Sequence, residues 1–322
     1  MKKSNKPFSA TLLPLGTRAG LLTVPKARNT TYLLKIVKNS EEYQILFDVG
    51  SKRVLQNDYV DVKKLKAVFL SHAHLDHTIY LGLFIRRLKK EKRKEPLPIY
   101  CHENGWKYLK WWIRFFCFGI PDFVKHIPLK LEIEDPHLKS YEKECKTDLS
   151  QIKELDSLGL EDGLEIEIKV APALHSVSSV VYRFNFFSQS MPNYFLDFMF
   201  SPDTSYCSEH LIPFAKNAKY WLLDTSFAKE IIDERYEWFQ NHKRGGEIVC
   251  HSGPYYSGKI CQEANVKNYI MGHYVWERYT DKYENVEDAL ISRAREIYDG
   301  NIIVSLDLKP ISLELNNNKH NN

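Results

Sequence analysis

The feature that most constrains this chain is the segment HAHLDH at residues 72–77, which places three histidines and an aspartate within six positions. It follows the apolar run AVFLS and precedes a helix-like pattern, so it lies on a loop between a strand and a helix. Histidines two positions apart in an extended segment point to the same side. His72 and His74 can therefore share one ion, while Asp76 and His77 in the turn face a second. This spacing predicts two neighbouring metal ions.

Length and composition leave a globular enzyme or binding protein open and exclude several other classes. The 322 residues, 43% of them hydrophobic, suffice for one large domain, and a net charge of +4 does not indicate a dedicated nucleic-acid binder. Six cysteines without any CxxC spacing indicate reduced thiols, not a zinc ribbon or a disulfide framework. The sequence has no uncharged apolar run of about 20 residues and no signal-peptide core. We therefore expect a cytoplasmic protein with no membrane partner.

The rest of the chain reads as strands and a few helices. Apolar or alternating segments that predict strands are TTYLLKIV, YQILFDVG, PLPIYCH, LEIEIKVAPALH, SSVVYRFNFF, FLDFMFSPDT and AKYWLLDTSF. Apolar spacing predicts helices in TIYLGLFIRRLKK, in ENGWKYLKWWIRFFCFGI and in EANVKNYIMGHY. The polar tail NNNKHNN is low in complexity, which is typical of disorder.

Two ions need more ligands than HAHLDH provides, and the sequence offers three. His175 ends KVAPALH, Asp203 lies in FSPDTSY and His273 lies in IMGHY. Each follows a strand-like run, where a loop at the rim of a sheet would begin. Taken singly, each has an ordinary structural explanation, since Asp203 before Thr204 is also a common turn residue. Together they complete two ligand sets.

With these residues in place, the sequence resembles the metallo-β-lactamase superfamily and, within it, most closely ribonuclease Z. HAHLDH, His175, Asp203 and His273 carry the superfamily pattern. The ribonuclease Z likeness adds LGTRAGLLTVPKARNTTYLL, LFDVG, PLPIYCHENG, HSVSSVVYRF and MGHYVWERY. It covers most of the chain except roughly residues 105 to 160. The HLDH spelling also resembles cyclic-nucleotide phosphodiesterases of the superfamily.

The resemblance implies an α/β (α+β) fold, the four-layer αββα sandwich, with the metal site at one edge of the paired sheets. We expect residues 1–315 to form a single domain with an inserted helical and aromatic elaboration at about 105–160. Residues 316–322 would form a disordered tail. The family also implies a homodimer.

The same resemblance implies a ligand set for two zinc ions, with Mn²⁺ or Fe²⁺ as alternatives. One zinc would be bound by His72, His74 and His175. The second would be bound by Asp76, His77 and His273, and Asp203 would bridge the two ions.

Such a pair suits phosphodiester hydrolysis by a bridging hydroxide, because two divalent ions activate water and neutralise the charge that develops on phosphate. The leaving oxygen still needs an acid. In ribonuclease Z a glutamate and a further histidine precede the last ligand, and Asp224 in LLDTSF and His251 in VCHSGP match them. Aspartate is one methylene shorter than glutamate, so the carboxylate of Asp224 has a shorter reach. By this resemblance, Asp224 and His251 are predicted catalytic residues, together with the ligand Asp76, which could also shuttle protons.

The favoured substrate is inferred from a segment of ribonuclease Z that this chain lacks. The flexible arm that clasps transfer RNA in ribonuclease Z emerges between the ligands that match His175 and Asp203, which here stand only 28 positions apart in strand-like sequence. A small phosphodiester, and a cyclic nucleotide in particular, is therefore the favoured substrate. The alternative is an RNA 3′-processing endoribonuclease that holds RNA with the 105–160 insertion. Further alternatives are a thioesterase or lactonase and a non-catalytic nucleic-acid-binding member.

Two surface features leave their roles open. The basic run at residues 86–94 could bind phosphates, although such runs usually form a solvated helix face. The aromatic residues of the following helix could stack nucleic-acid bases, pack, form a dimer contact or act as a lid. These aromatic residues are Trp106, Tyr108, Trp111, Trp112, Phe115 and Phe116.

Overall fold

A computed structural model of the chain describes residues 7–20, 28–131, 153–160, 163–205, 211–226, 251–275 and 285–317. Within these ranges, seven strands form the first sheet, in the spatial order β14-β1-β2-β3-β4-β5-β6. Its strands are β1 (Ser9–Gly16), β2 (Thr31–Lys38), β3 (Glu41–Phe47), β4 (Leu65–Phe69), β5 (Leu97–His102), β6 (Val124–Leu129) and β14 (Ile311–Leu313).

The second sheet has eight strands in the described part of the chain, seven of them in the order β13-β12-β11-β10-β9-β8-β7. The eighth, β15, pairs with β10. The strands are β7 (Lys153–Leu160), β8 (Leu164–Ala173), β9 (Ser179–Ser188), β10 (Met191–Ser201), β11 (Tyr220–Asp224), β12 (Asn268–Gly272), β13 (Asn301–Val304) and β15 (Asn316–Asn317).

Strand direction gathers the predicted ligands at one edge of the sandwich. Strands β3 to β6 run parallel to one another, and so do strands β10 to β13. Strand β8 is antiparallel to β9, which is antiparallel to β10, so β8 also runs in the direction of β10. Because the carboxyl ends of parallel strands meet at one edge, the loops after β3, β4, β8, β10, β11 and β12 come together there.

The core between the two sheets is largely aromatic. Phe47 at the end of β3 is fully buried, and its ring centroid lies 4.9 Å from that of Phe200 and 5.3 Å from that of Phe184. Phe69 stacks on Tyr100 at 4.3 Å. Such pairs add about 0.5–1.5 kcal/mol each beyond the burial of their area. The inward faces of both sheets are therefore firmly joined just behind the edge where the loops converge.

Helices cover the outer face of each sheet and complete four layers. The single turn α1 (Leu75–Thr78) lies at the edge where the loops converge, and the first sheet is covered by α2 (Leu81–Lys90) and α3 (Glu103–Cys117), together with the 3-10 helix Lys52–Leu55. The second is covered by α4 (Ile212–Ala215), α5 (Pro254–Glu263) and α6 (Val286–Arg295). The prediction of an αββα sandwich is confirmed.

One secondary-structure prediction is wrong. EANVKNYIMGHY is not a helix, since α5 ends at Glu263 and residues Asn268–Gly272 form the strand β12. Strand β12 lies between two parallel neighbours, and four of its five residues are buried. A parallel strand covered on both faces shows no alternation, so its short apolar run resembles a piece of buried helix.

Parts of the predicted domain organisation lie in residues that the structure does not describe. Residues 132–152 of the 105–160 elaboration and residues 318–322 of the tail lie outside the described ranges. The prediction of a disordered tail from residue 316 is wrong at its start, because Asn316–Asn317 form the strand β15, which pairs with β10. The described portion of the elaboration contains most of α3, the edge strand β6 and β7. Among the described cysteines, Cys101, Cys117 and Cys261 are free thiols. No helix in the described ranges is long and apolar enough to cross a membrane.

Candidate metal centre

The predicted ligands converge where strands end. His72 and His74 follow β4, and Asp76 and His77 lie in the single turn of α1. Further along the chain, His175, Asp203 and His273 follow β8, β10 and β12 by one or two residues. The loop between His175 and Asp203 is occupied by the β9–β10 hairpin, so this part of the chain contains strands and no arm.

The first group contains three imidazoles around one point. Nδ1 of His74 lies 3.0 Å from Nε2 of His72 and 3.1 Å from Nε2 of His175. Oδ2 of Asp203 lies 3.4 Å from Nε2 of His72 and 3.5 Å from Nε2 of His175. The ligand atoms of these four side chains all lie within 4.8 Å of one another, a spacing that could hold one metal ion.

The second group shares Asp203 with the first. Nε2 of His77 lies 3.1 Å from Nε2 of His273. Oδ2 of Asp76 lies 3.6 Å and 3.5 Å from these two nitrogens. Oδ1 of Asp203 lies 3.2 Å from His77 Nε2 and 2.9 Å from His273 Nε2. Asp203 therefore turns one carboxylate oxygen toward each group.

Sequence reasoning missed Asp48, which fixes the orientation of His77. Asp48 follows β3 with a left-handed φ of 53° and is fully buried. Its Oδ2 lies 2.7 Å from Nδ1 of His77 and accepts a hydrogen bond from Ser71 Oγ at 2.8 Å, while its Oδ1 accepts one from Ser71 N at 2.8 Å. A carboxylate at Nδ1 holds the ring proton there and leaves Nε2 to face an ion.

The loop that carries Asp48 also supports the backbone of α1. Val49 N donates to the carbonyl of His77 at 2.6 Å, and Tyr80 N donates to the carbonyl of Val49 at 3.0 Å. At Gly50 a Cβ would lie 1.7 Å from the carbonyl oxygen of Asp76. Only glycine allows this approach, so LFDVG and HAHLDH form one folded unit. The aspartate directly after a strand and before a glycine was the available sequence signal.

Asp224 and His251 form a pair beside the second group. Nδ1 of His251 lies 2.9 Å from Oδ2 of Asp224, whose other oxygen accepts hydrogen bonds from Ser226 N at 2.9 Å and Ser226 Oγ at 2.6 Å. Nδ1 of His273 is 3.5 Å from Asp224 Oδ1. Asp224 is fully buried, whereas the side chain of His251 is 26% exposed. His251 therefore lies between the buried carboxylate and the surface.

Burial and charge set the protonation states. Burial lowers the pKa of His72 well below its usual value and also lowers that of His74, so both imidazoles are neutral, as metal ligands need to be. Burial would raise the pKa of Asp203, but the charges of His273 and His77 outweigh it and hold that pKa well below its usual range. Asp224 behaves similarly: the adjacent His251 outweighs burial and lowers the pKa.

These side chains fit a pair of divalent ions. Ring nitrogens of neighbouring histidines face each other at 3.0–3.1 Å, and Oδ1 of the buried Asp203 has no hydrogen-bond partner although two imidazoles lie within 3.2 Å of it. Such a convergence of lone pairs calls for cations between them. Imidazole nitrogen and carboxylate oxygen are ligands that zinc prefers, and manganese and iron accept the same set.

The structure thus brings every sequence-predicted site residue to one edge of the sandwich. The seven predicted ligands form two groups that meet at Asp203, and Asp224 and His251 adjoin the group that contains His273. Within the described ranges, Asp48, Ser71 and Ser226 are the supporting residues that the sequence did not reveal.

Comparison with known proteins agrees with this geometry. A family model described as a β-lactamase superfamily domain matches residues 43–274. Ribonuclease Z of Pyrococcus abyssi is 25% identical over 285 residues, which cover 79% of this chain and 89% of that protein. Ribonuclease Z of Methanosarcina mazei is 24% identical over 329 residues, which cover 93% and 96%.

Solved structures show the same fold under different names. The metallo-β-lactamase fold protein YhfI of Bacillus subtilis has a TM-score of 0.62 at 19% identity, covering 94% of this chain and 99% of that one. The short form of human tRNase Z has a TM-score of 0.60 at 13% identity and the same coverage. Yeast PDE1 has a TM-score of 0.60 at 12% identity, covering 95% and 99%. These likenesses establish the fold, and the fold alone does not select a substrate.

Proposed function

The chain belongs to the metallo-β-lactamase superfamily, in its ribonuclease Z-like branch, which is a family of hydrolases, and on this basis we propose that it is a zinc-dependent phosphodiesterase. The observation that carries the proposal is the pair of ligand groups that share Asp203, with the His251–Asp224 pair beside them.

Each ligand group would hold one ion. His72, His74 and His175 would bind the first, Asp76, His77 and His273 the second, and Asp203 would bridge them. When bound, the two ions would lower the pKa of a water molecule and neutralise negative charge on the phosphate. The backbone of Gly20 donates a hydrogen bond to Asp76 Oδ2 at 2.7 Å, which orients that carboxylate.

His251 is the residue that would give a proton to the leaving oxygen. Its Nδ1 is directed to Asp224, so Nε2 is the atom through which the ring can transfer a proton to substrate. The ring lies next to both ligand groups, with Nδ1 3.9 Å from Asp203 Oδ2. Asp224 is buried behind it and would act by holding the imidazole in position. Asp76 could relay a proton from the attacking water, since its side chain is 11% exposed.

The favoured substrate is a small phosphodiester, and a cyclic nucleotide in particular. The support is the β9–β10 hairpin, which occupies the whole interval in which an RNA-clasping arm would emerge. A second candidate is an RNA 3′-processing endoribonuclease, which is favoured by the relatives named ribonuclease Z that match 79–93% of the chain. Both candidates use the same metal centre. Homodimerisation remains a prediction.

Hydrolysis by the zinc-loaded protein tests the function and separates the two substrates. A panel of 3′,5′-cyclic nucleotides would be assayed beside a precursor transfer RNA with a 3′ trailer, before and after chelation and zinc readdition. Turnover of a cyclic nucleotide with intact RNA establishes the small substrate, and RNA cleavage alone establishes the endoribonuclease.

Asp203→Ala should abolish turnover and release metal. Asp197→Asn, which alters a buried carboxylate on β10 away from the ligand groups, is the control. Full turnover by chelated protein would refute the proposal.

A further inference from the structure

Helix α3 exposes an aromatic surface, in which Trp112 also donates from Nε1 to the carbonyl of Ile79 at 3.2 Å. Its members lie three or four residues apart, so they occupy one side of the helix and of the turn after it. The exposed fractions are 74% for Tyr108, 64% for Trp111, 37% for Trp112, 73% for Phe115 and 91% for Phe118. We call these five residues the α3 aromatic face. Contiguous exposed aromatic residues on this scale mark a binding surface more often than chance exposure does.

The opposite side of the helix does the packing. Gly105, Leu109, Ile113 and Cys117 are buried against the first sheet and α2. The two sides therefore have separate roles: one holds α3 on the sandwich and the other meets solvent. Substitutions of Trp111 and Phe115, which are 64% and 73% exposed, can change binding with little loss of buried contact.

Positive charge accompanies the aromatic rings. Lys107, Lys110 and Arg114 follow the same helical spacing next to the aromatic residues, and the guanidinium of Arg114 lies 5.3 Å from the ring centroid of Trp111. Residues 81–118 contain ten Lys or Arg and three Asp or Glu, a net charge of +7, whereas the whole chain carries +4. The rest of the chain is therefore net negative. The positive charge is concentrated on α2, α3 and their connection.

We propose that the α3 aromatic face binds single-stranded RNA, with bases stacked on the exposed rings and phosphates paired with Lys107, Lys110 and Arg114. Aromatic rings beside a cationic stripe are the arrangement by which proteins hold unpaired strands without reading their sequence. The choice of RNA over DNA rests on the endoribonuclease candidate of the proposed function, which the relatives named ribonuclease Z favour. Double-stranded nucleic acid fits less well because its bases are not available to stack on protein rings.

A second copy of this chain is a poorer occupant of the same surface. Symmetric packing of two α3 faces would bring Lys107, Lys110 and Arg114 of one copy against the same three residues of the other. Lysine is depleted in the core of protein interfaces, and like charges across an interface cost affinity. An anionic strand instead gains from each of Lys107, Lys110 and Arg114.

The position of α3 would connect the bound strand to the metal centre. At its N-terminal end, Asn104 Nδ2 donates to Ser178 Oγ at 3.3 Å, in the loop that carries His175. A Cβ at Gly105 would lie 3.3 Å from the Cβ of Ala73, between the ligands His72 and His74. The 15 residues of α3 extend away from this point over about 22 Å. A strand lying along the face would thus have one end near the ligand groups.

The far end of the face opens into a basic recess. A cavity of about 490 Å³ lies between the end of α2 and the turn after α3, with Lys89, Lys94 and Phe118 in its lining. Phe118 has a left-handed φ of 54° and is almost entirely exposed, an unfavourable state for a bulky apolar residue. An aromatic ring held outward beside lysines is suited to receive a further nucleotide of the strand.

Binding of a short, fluorescently labelled single-stranded RNA to the full chain, measured by anisotropy, tests this proposal. Trp111→Ala and Phe115→Ala should each weaken binding by about 5- to 100-fold, as expected for the loss of one base–aromatic stack. Replacing Lys107, Lys110 and Arg114 with Gln should make the slope of log Kd against log salt shallower by about 2, since each phosphate contact contributes roughly 0.7. A duplex of the same length should bind more weakly than the single strand.

Matched controls are Met191→Ala, which removes an exposed apolar side chain from β10, and Lys309→Gln, which removes an exposed charge near the opposite edge of the first sheet. Both should bind RNA as the unaltered chain does. Wild-type affinity in the α3 variants would overturn the proposal. So would a dimer, seen by analytical ultracentrifugation, that Trp111→Ala converts to monomer while RNA affinity is unchanged. The anisotropy assay requires no turnover, so a failure of phosphodiesterase activity and a failure of RNA binding are observed separately.

Discussion

Asp48→Asn should weaken metal binding although Asp48 is not a ligand. The carboxylate receives three buried hydrogen bonds, from Ser71 N, Ser71 Oγ and Nδ1 of His77, at 2.7–2.8 Å. An amide of the same size retains one accepting oxygen. If its NH₂ group faces His77, the ring proton moves to Nε2, the atom that would bind the ion. If it faces Ser71 N, two donors oppose each other in a fully buried site.

The expected loss of metal affinity and the expected loss of stability have known typical magnitudes. Loss of such a supporting partner typically lowers metal affinity by about 10- to 100-fold. This corresponds to roughly 1.4–2.7 kcal/mol of binding free energy. A buried donor without an acceptor costs about 1–3 kcal/mol of stability. We therefore expect a lower affinity for the ion at His77, together with a lower Tm.

Competition with a chromophoric zinc chelator measures the affinity, and thermal melting of the metal-loaded and metal-free protein measures the stability. Asp197→Asn is a matched change, because Asp197 is a buried carboxylate that accepts from Arg183 at 2.7 Å and 3.0 Å on the same sandwich. It should lower Tm without altering zinc affinity. Equal zinc affinity in Asp48→Asn and the unaltered chain would refute the assignment of Asp48 to His77.

Three further changes test the rest of the centre. His251→Ala should lower kcat by about 10²- to 10⁴-fold, as expected for loss of a general acid, with zinc content unchanged; metal loss would make His251 a structural residue. Asp224→Glu should lower kcat despite restoring the family's glutamate, because an added methylene overpacks a fully buried site; faster turnover would contradict this. Gly50→Ala should lower both Tm and zinc content, since its Cβ would lie 1.7 Å from Asp76 O, whereas Gly258→Ala, whose Cβ would meet side-chain atoms of Tyr298 and Ile297 at 3.3–3.4 Å, should lower Tm less and leave zinc content unchanged; equal Tm in both would argue against the loop contact.

The ligand groups were predictable because metal binding requires particular residue types, and those types stand directly after apolar strands. His175, Asp203 and His273 could be placed at one edge once their strands were recognised. The partner of His77 could not be found in this way. Asp48 lies 29 positions earlier in the chain, and its contact depends on β3 and β4 being parallel neighbours. That pairing is a property of the tertiary structure.

The role of the basic run at residues 86–94 could not be predicted from the sequence either. Its composition suggested phosphate binding or a solvated face, but two of its arginines serve the fold. Arg87 donates to the carbonyls of Val54 and Val60, and Arg93 donates to those of Val62 and Leu65, at 2.6–3.0 Å. These bonds hold the connection between β3 and β4. Charge counting alone does not distinguish such arginines from lysines that remain in solvent.

The exchange of glutamate for Asp224 shows why side-chain length is a poor guide to reach. From the sequence, Asp224 has a shorter reach than the family's glutamate by one methylene. In the structure, Asp224 ends β11, and His251 comes to it at 2.9 Å just ahead of α5. Ser226 N and Oγ hold the other oxygen. The shorter residue therefore makes the contact. Because Asp224 is buried, His251 is the member of the pair that can contact substrate.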